Sequence, residues 1–133
     1  KRNSKYDIIT APRIINGVIK YLRPISVSLQ GQFFYITGHS VGTLFKTEIH
    51  KLYGYYNYHL KLAADQYFVL RIFSVNPRIS HLYLKNSIFG IFGSCGLSSQ
   101  NNFQSFKEMF FVFKKLGMLN LLSSIRLCKI LLR

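Results

Sequence analysis

Ser40 stands in Gly38-His39-Ser40-Val41-Gly42, a match to G-x-S-x-G, the sharp turn on which α/β-fold hydrolases present a nucleophilic serine. Asp65 and His81 follow in the order serine, acid, histidine that such a triad needs. The chemistry would be acyl transfer, with His81 taking the hydroxyl proton and Asp65 orienting the imidazole. That geometry requires a strand before the serine and a helix immediately after it. The lead-in "QFFYIT" is aromatic and β-branched and reads as a strand. The exit "GTLFKTEI" alternates, with Thr43 out, Leu44 in and Phe45 out, and reads as a second strand. The stretch is therefore expected to be a hairpin turn with Gly42 as its left-handed residue, and Ser40 is not expected to be a nucleophile.

No other catalytic or metal-binding pattern is expected. Cys95 and Cys128 form no C-x-x-C pair, and His39, His50, His59 and His81 lack the spacing of zinc ligands. We expect no enzyme activity, no metal and no cofactor.

Charge is the strongest signal. Eighteen lysines and arginines face four acids, a net charge of +14 in 133 residues. Such an excess repels itself and favours a polyanionic partner, either nucleic acid or an anionic membrane surface. A spanning helix needs about 20 apolar residues. The stretch 86–106, which carries no charge, is interspersed with Asn, Gln, Ser and Gly, so no span is read there. Heavy use of Phe, Tyr, Ile, Lys and Asn, with no Trp, suggests an AT-rich genome such as an organelle's.

The elements that would position these charges divide the chain in three. Residues 1–24 read as an extended basic arm interrupted by Pro12 and Pro24, with a short helical piece at "RIINGVIKY". Residues 25–92 read as an α+β domain: strands at 25–31, 32–37 and 42–49, a loop or loose strand over "KLYGYYNYH", and strands "YHLKLAA" and "YFVLRIF" around a turn at Asp65-Gln66. A helix over 78–89 would cover this small antiparallel sheet. Residues 93–133 read as a linker and a C-terminal extension or degenerate second domain. Within it Phe106, Met109, Phe110 and Phe113, then Leu121, Leu122, Ile125 and Leu132, have the spacing of one apolar helical stripe.

Two segments together resemble the universal large-subunit ribosomal protein L-six family. "VSLQGQFFYITGHSVGTLFKTEI", 27–49, is similar to that family's opening strands, with Gly31, "FFYI", Gly38 and Gly42-Thr43-Leu44 at the matching points. "LYLKNSIFGI", 82–91, is similar to the end of the family's first-domain helix, through Lys85-Asn86-Ser87-Ile88-Phe89-Gly90-Ile91. The resemblance covers the first domain only. It implies a structural constituent of a large ribosomal subunit, with ribosomal RNA and neighbouring ribosomal proteins as partners; the organelle, a mitochondrion, is read from composition alone.

On that reading the phosphate contacts come from Lys1, Arg2, Lys5, Arg13, Lys20 and Arg23 in the arm and from Lys114, Lys115, Arg126, Lys129 and Arg133 at the far end. Aromatic residues would pack on neighbouring proteins or stack on unpaired bases. The alternative is a basic membrane-surface or membrane-complex subunit, anchored by the Phe-rich tail.

Overall fold

The computed structural model describes residues 5–21, 40–93 and 101–132. The expected strands at 25–31 and 32–37, and the Gly38-His39 half of the turn, lie outside them. The described chain has the expected α+β class, in the form of two three-stranded sheets and four helices. Two units divide it: Lys1–Tyr55 with Val69–Gly93, and Tyr56–Phe68 with Ser94–Arg133.

The first unit is organised by a single thread of backbone, 8–15. Its first half is β1 (Ile8–Thr10) and its second is β2 (Arg13–Ile15), paired with β3 (Val18–Lys20). After a 3-10 turn at Ser40–Gly42, β4 (Thr43–Phe45) pairs antiparallel with β1, and β5 (His81–Tyr83) pairs parallel on its other side. β6 (Ile91–Phe92) pairs parallel with β2. Pro12 has no N–H to give to a ladder, so pairing breaks at Ala11-Pro12 and one thread serves two sheets. The carbonyls there still find partners: Thr10 accepts from Leu84 at 2.8 Å and Pro12 from Phe89 at 3.2 Å. Residues 8–15 are thus the central strands of both sheets rather than a free arm.

The expected helical piece at "RIINGVIKY" is the β2–β3 hairpin. Asn16 (φ 51°) and Gly17 (φ 75°) form its two-residue turn, and positive φ at both positions is what an Asn-Gly hairpin turn requires. The expected third strand, 42–49, stops at Phe45. Helix α1 (Thr47–Tyr53) begins two residues later, with Glu48 in its first turn and Ile49 buried. Leu44, expected inward, is 55% exposed.

The expected strands "YHLKLAA" and "YFVLRIF" are replaced by a turn and helix α2 (Ala64–Val75). Phe68, Leu70, Ile72 and Phe73 are all buried, so the apolar run has no outward-facing alternation to mark its period. The division between the two units falls within this helix, after Phe68. The helix expected over 78–89 is likewise absent. Its residues form β5, a turn with Ser87 N donating to Leu84 O, and the approach to β6. Pairing of His81–Tyr83 with the distant Ile8–Thr10 overrides the local helical spacing.

In the second unit, α3 (Asn102–Lys115) and α4 (Leu121–Leu131) occupy the stretch expected to be helical. They are two helices, not one stripe. Gly117 (φ 66°) ends α3, with Met118 N donating to Phe113 O and Gly117 N to Lys114 O. That pair of bonds is the Schellman arrangement, and its hydrophobic partners Phe113 and Met118 are both buried. Asn120 then caps α4 in a reciprocal box with Ser123.

Glu108, buried on α3, holds this unit's loop to its helices. Its carboxylate accepts from Leu62 N (2.8 Å), Ala63 N (2.9 Å) and Lys61 N (3.2 Å), and from Gln104 Nε2 (2.9 Å). These backbone groups lead into α2, whose first N–H groups have no partner within the helix. Burial is the largest single influence on the Glu108 carboxyl and pushes its pKa up. The combined hydrogen bonds from Gln104, Leu62, Ala63 and Lys61 outweigh it and hold the carboxyl below its ordinary 4.5.

Glu108→Ala strands three amides and should cost about 1–3 kcal/mol in urea unfolding, with Glu108→Gln between it and the parent. The parent's Glu108 contribution should be intact above pH 4.5 and decline as pH falls through and below that value. At Gly42 the turn does not use positive φ, contrary to expectation. A Cβ there would lie 2.8 Å from the Ala11 carbonyl oxygen, and the Gly42 carbonyl itself accepts from Ala11 N at 2.9 Å. Gly42→Val should therefore lower stability by about 1–3 kcal/mol through overpacking, measured in the same unfolding experiment.

Candidate nucleic-acid interface

Two of the three residues of the candidate triad, His81 and Asp65, make local hydrogen bonds. Ser40 opens a 3-10 turn that runs into β4, and no helix begins until Thr47, so the helix an elbow needs right after the serine is absent. His81 Nε2 lies 2.7 Å from Thr10 Oγ1, across the β1–β5 pair. Thr10 is buried, which closes its hydroxyl to a substrate. Asp65 Oδ1 accepts from Gln66 N at 2.8 Å, at the start of α2. Among the described residues no three His, Cys, Asp or Glu side chains cluster as a metal site would require.

The four carboxylates have assigned places. Asp7 accepts from Ser80 Oγ at 2.6 Å and lies 4.0 Å from Lys46 Nζ. Glu48 and Asp65 sit in the first turns of α1 and α2, where the helix dipole favours negative charge. Glu108 is committed to the Lys61–Ala63 amides. Little acidic charge is left to neutralise the cationic surface.

Of the cations expected to bind phosphate, Lys5 is exposed before β1 and Lys20 is exposed at the end of β3. Arg13 is half-buried on β2, and its pKa is lowered by burial, partly opposed by Tyr83. It is packed into the sheet more than it is offered to a ligand. Lys114 and Lys115 are exposed in the last turn of α3, Lys129 is exposed in the last turn of α4, and Arg126 is half-buried on α4. Lys1, Arg2, Arg23 and Arg133 lie outside the described residues.

The best-organised group is on α3. Glu108, Met109, Val112 and Phe113 form its buried face. Phe103, Lys107, Phe110 and Lys114 are all exposed. Their spacing of i, i+4, i+7 and i+11 places them in one stripe opposite that face, because a helix turns about 100° per residue. Lys107 Nζ is 4.3 Å from the Phe103 ring centroid. Lys115 Nζ lies 5.3 Å from the Tyr67 ring and 5.6 Å from the Phe111 ring. Each contact holds an ammonium over an aromatic face.

The sequence reading missed Phe103, Lys107 and Phe111 and assigned Phe110 to the buried stripe. The alternation of Phe and Lys at those four spacings was the available signal. On α4, likewise, Leu121 and Ile125 are exposed, as is Leu132 just past its end, while Ser123 and Leu127 are buried. No helix among the described residues is long and apolar enough to cross a membrane.

No protein-family model matches the chain, and no significant match to it is found among curated proteins or solved structures.

Burial holds the His81 imidazole below its ordinary pKa of 6.5. The unfolded chain then takes up a proton that the native state resists. The native state's advantage is complete above pH 6.5 and is lost as pH falls through that value. Urea midpoints at about pH 7.5 and about pH 5.5 should show this fall in the parent, and His81→Asn should lack that component of it.

Proposed function

We propose that this chain is a non-catalytic RNA-binding protein that serves as a structural constituent of a ribonucleoprotein particle. One observation carries the reading: a net charge of +14 in a chain whose four carboxylates are placed at a strand junction, in two helix first turns and on the buried face of α3. An excess of that size is stabilised by a polyanion, and lysines on exposed helix turns suit phosphates without reading sequence. Lys107, Lys114 and Lys115 on α3 and Lys129 on α4 are the cations we assign to this contact.

The particle we propose is the large ribosomal subunit of a mitochondrion, with ribosomal RNA and neighbouring ribosomal proteins as partners. Its support is the AT-leaning residue usage and the resemblance of 27–49 to the ribosomal L-six family. The second resembling segment, 82–91, forms a strand and turns rather than the family's helix, and lends no support. The RNA reading stands on charge without either segment.

A second reading has one observation in its favour. The exposed Leu121, Ile125 and Leu132 on and beside α4 could lie on a membrane surface.

A titration of the full chain with a large-subunit RNA fragment at several salt concentrations separates the two. Log K should fall linearly with log salt. Lys114→Ala/Lys115→Ala should flatten the slope by up to about 1.8 units on a duplex, with no change in sequence preference. Absence of RNA binding at low salt, beside flotation with neutral vesicles, would favour the membrane reading.

A further inference from the structure

We infer that the outward face of α3 is a stacking platform for the unpaired bases of a single-stranded RNA segment, a specificity that rests on the RNA-binding reading. Three phenylalanines are offered to solvent on one helix: Phe103 is 62%, Phe110 42% and Phe111 46% exposed. The same helix has a complete buried face, so these rings are surplus to its packing.

The order of residues along the stripe selects the ligand. Phe103, Lys107, Phe110 and Lys114 alternate ring and ammonium within a sector of about 60°. The two rings are separated by about 10.5 Å along the axis, and so are the two lysines. A strand of nucleic acid presents the matching alternation, with flat bases joined by phosphates. Duplex bases are stacked on each other and closed to such rings, so the aromatic half of the stripe is used only when bases are unpaired.

A lipid surface requires a different arrangement. An interfacial helix segregates its rings into an apolar sector and its cations onto a separate polar face. Here Lys107 and Lys114 lie in the same narrow sector as Phe103 and Phe110, so burying the rings in acyl chains would bury both ammonium groups. An apolar protein groove meets the same obstacle. Lys107 rests over one face of the Phe103 ring at 4.3 Å, so a base stacking on that face displaces the ammonium toward its phosphate.

The test compares the full-length parent with three double variants: Phe103→Leu/Phe110→Leu, Phe103→Tyr/Phe110→Tyr and Lys107→Ala/Lys114→Ala. The probes are a uridine oligonucleotide and an RNA duplex carrying the same number of phosphates, titrated by fluorescence anisotropy at several salt concentrations. Far-UV circular dichroism checks that each variant is folded.

The leucine variant keeps apolar area and loses the π-face. It should bind the single strand about tenfold or more weakly than the parent, with an unchanged salt slope and unchanged duplex affinity. The tyrosine variant should bind as the parent does. The lysine variant should flatten the slope by up to about 1.4 units on the single strand. A leucine variant that binds the single strand like the parent, or loses equally on both probes, overturns the stacking platform while leaving RNA binding in place. A folded parent that binds neither probe at low salt overturns both readings.

Discussion

Four carboxylates must serve a chain with eighteen lysines and arginines. Where they are placed decides what the structure can hold together and what its surface must leave unpaired. Asp7 fastens the start of β1 to Ser80 and Lys46, tying the three strands of one sheet at a common end. Glu48 and Asp65 meet the positive ends of two helices. Glu108 gathers three successive amides on the approach to α2. Glu108 solves a problem of backbone geometry. A carboxylate given to a surface lysine instead would return about 0–1 kcal/mol, whereas one that satisfies buried amides avoids a penalty of about 1–3 kcal/mol.

The consequence for α3 is direct. Its inner face carries Glu108 among Met109, Val112 and Phe113, so the helix has one fixed rotation in its unit. That rotation presents Phe103, Lys107, Phe110 and Lys114 outward together. The Schellman turn at Gly117 and the capping box at Asn120 then end one helix and start the next within a few residues. The cationic residues are thus set at defined positions on helices, and a polyanion that meets them has the lysine side chains left to order.

The α+β class and the helical character of 103–115 and 121–131 were legible in the sequence, because a 3.6-residue period survives without knowledge of partners. Some misreadings had signals in plain view. Asn16-Gly17 between apolar pairs is a hairpin signature, and Gly117 marks a helix stop. Others did not. The run 67–73 is apolar apart from Arg71, so its period is hard to see, and its helical state depends partly on Glu108 far along the chain. His81–Tyr83 is a strand only because Ile8–Thr10 lies beside it. The inward rotation of Val112, and the outward one of Phe110, follow from which face Glu108 occupies. The candidate site was half legible: Lys114 and Lys115 from charge alone, their alternation with rings only after the buried face was known.

The claim at the centre is that the cationic surface is completed by RNA, so that RNA stabilises the folded chain. Thermal melting at low salt, with and without a single-stranded RNA oligonucleotide, reads this directly. A ligand that binds only the native state adds about 2.7 kcal/mol at roughly one hundred times its Kd. The melting temperature is expected to rise with RNA concentration, and the rise should shrink as salt is added. A melting temperature unmoved by RNA at low salt, but raised by neutral lipid vesicles, would contradict the claim.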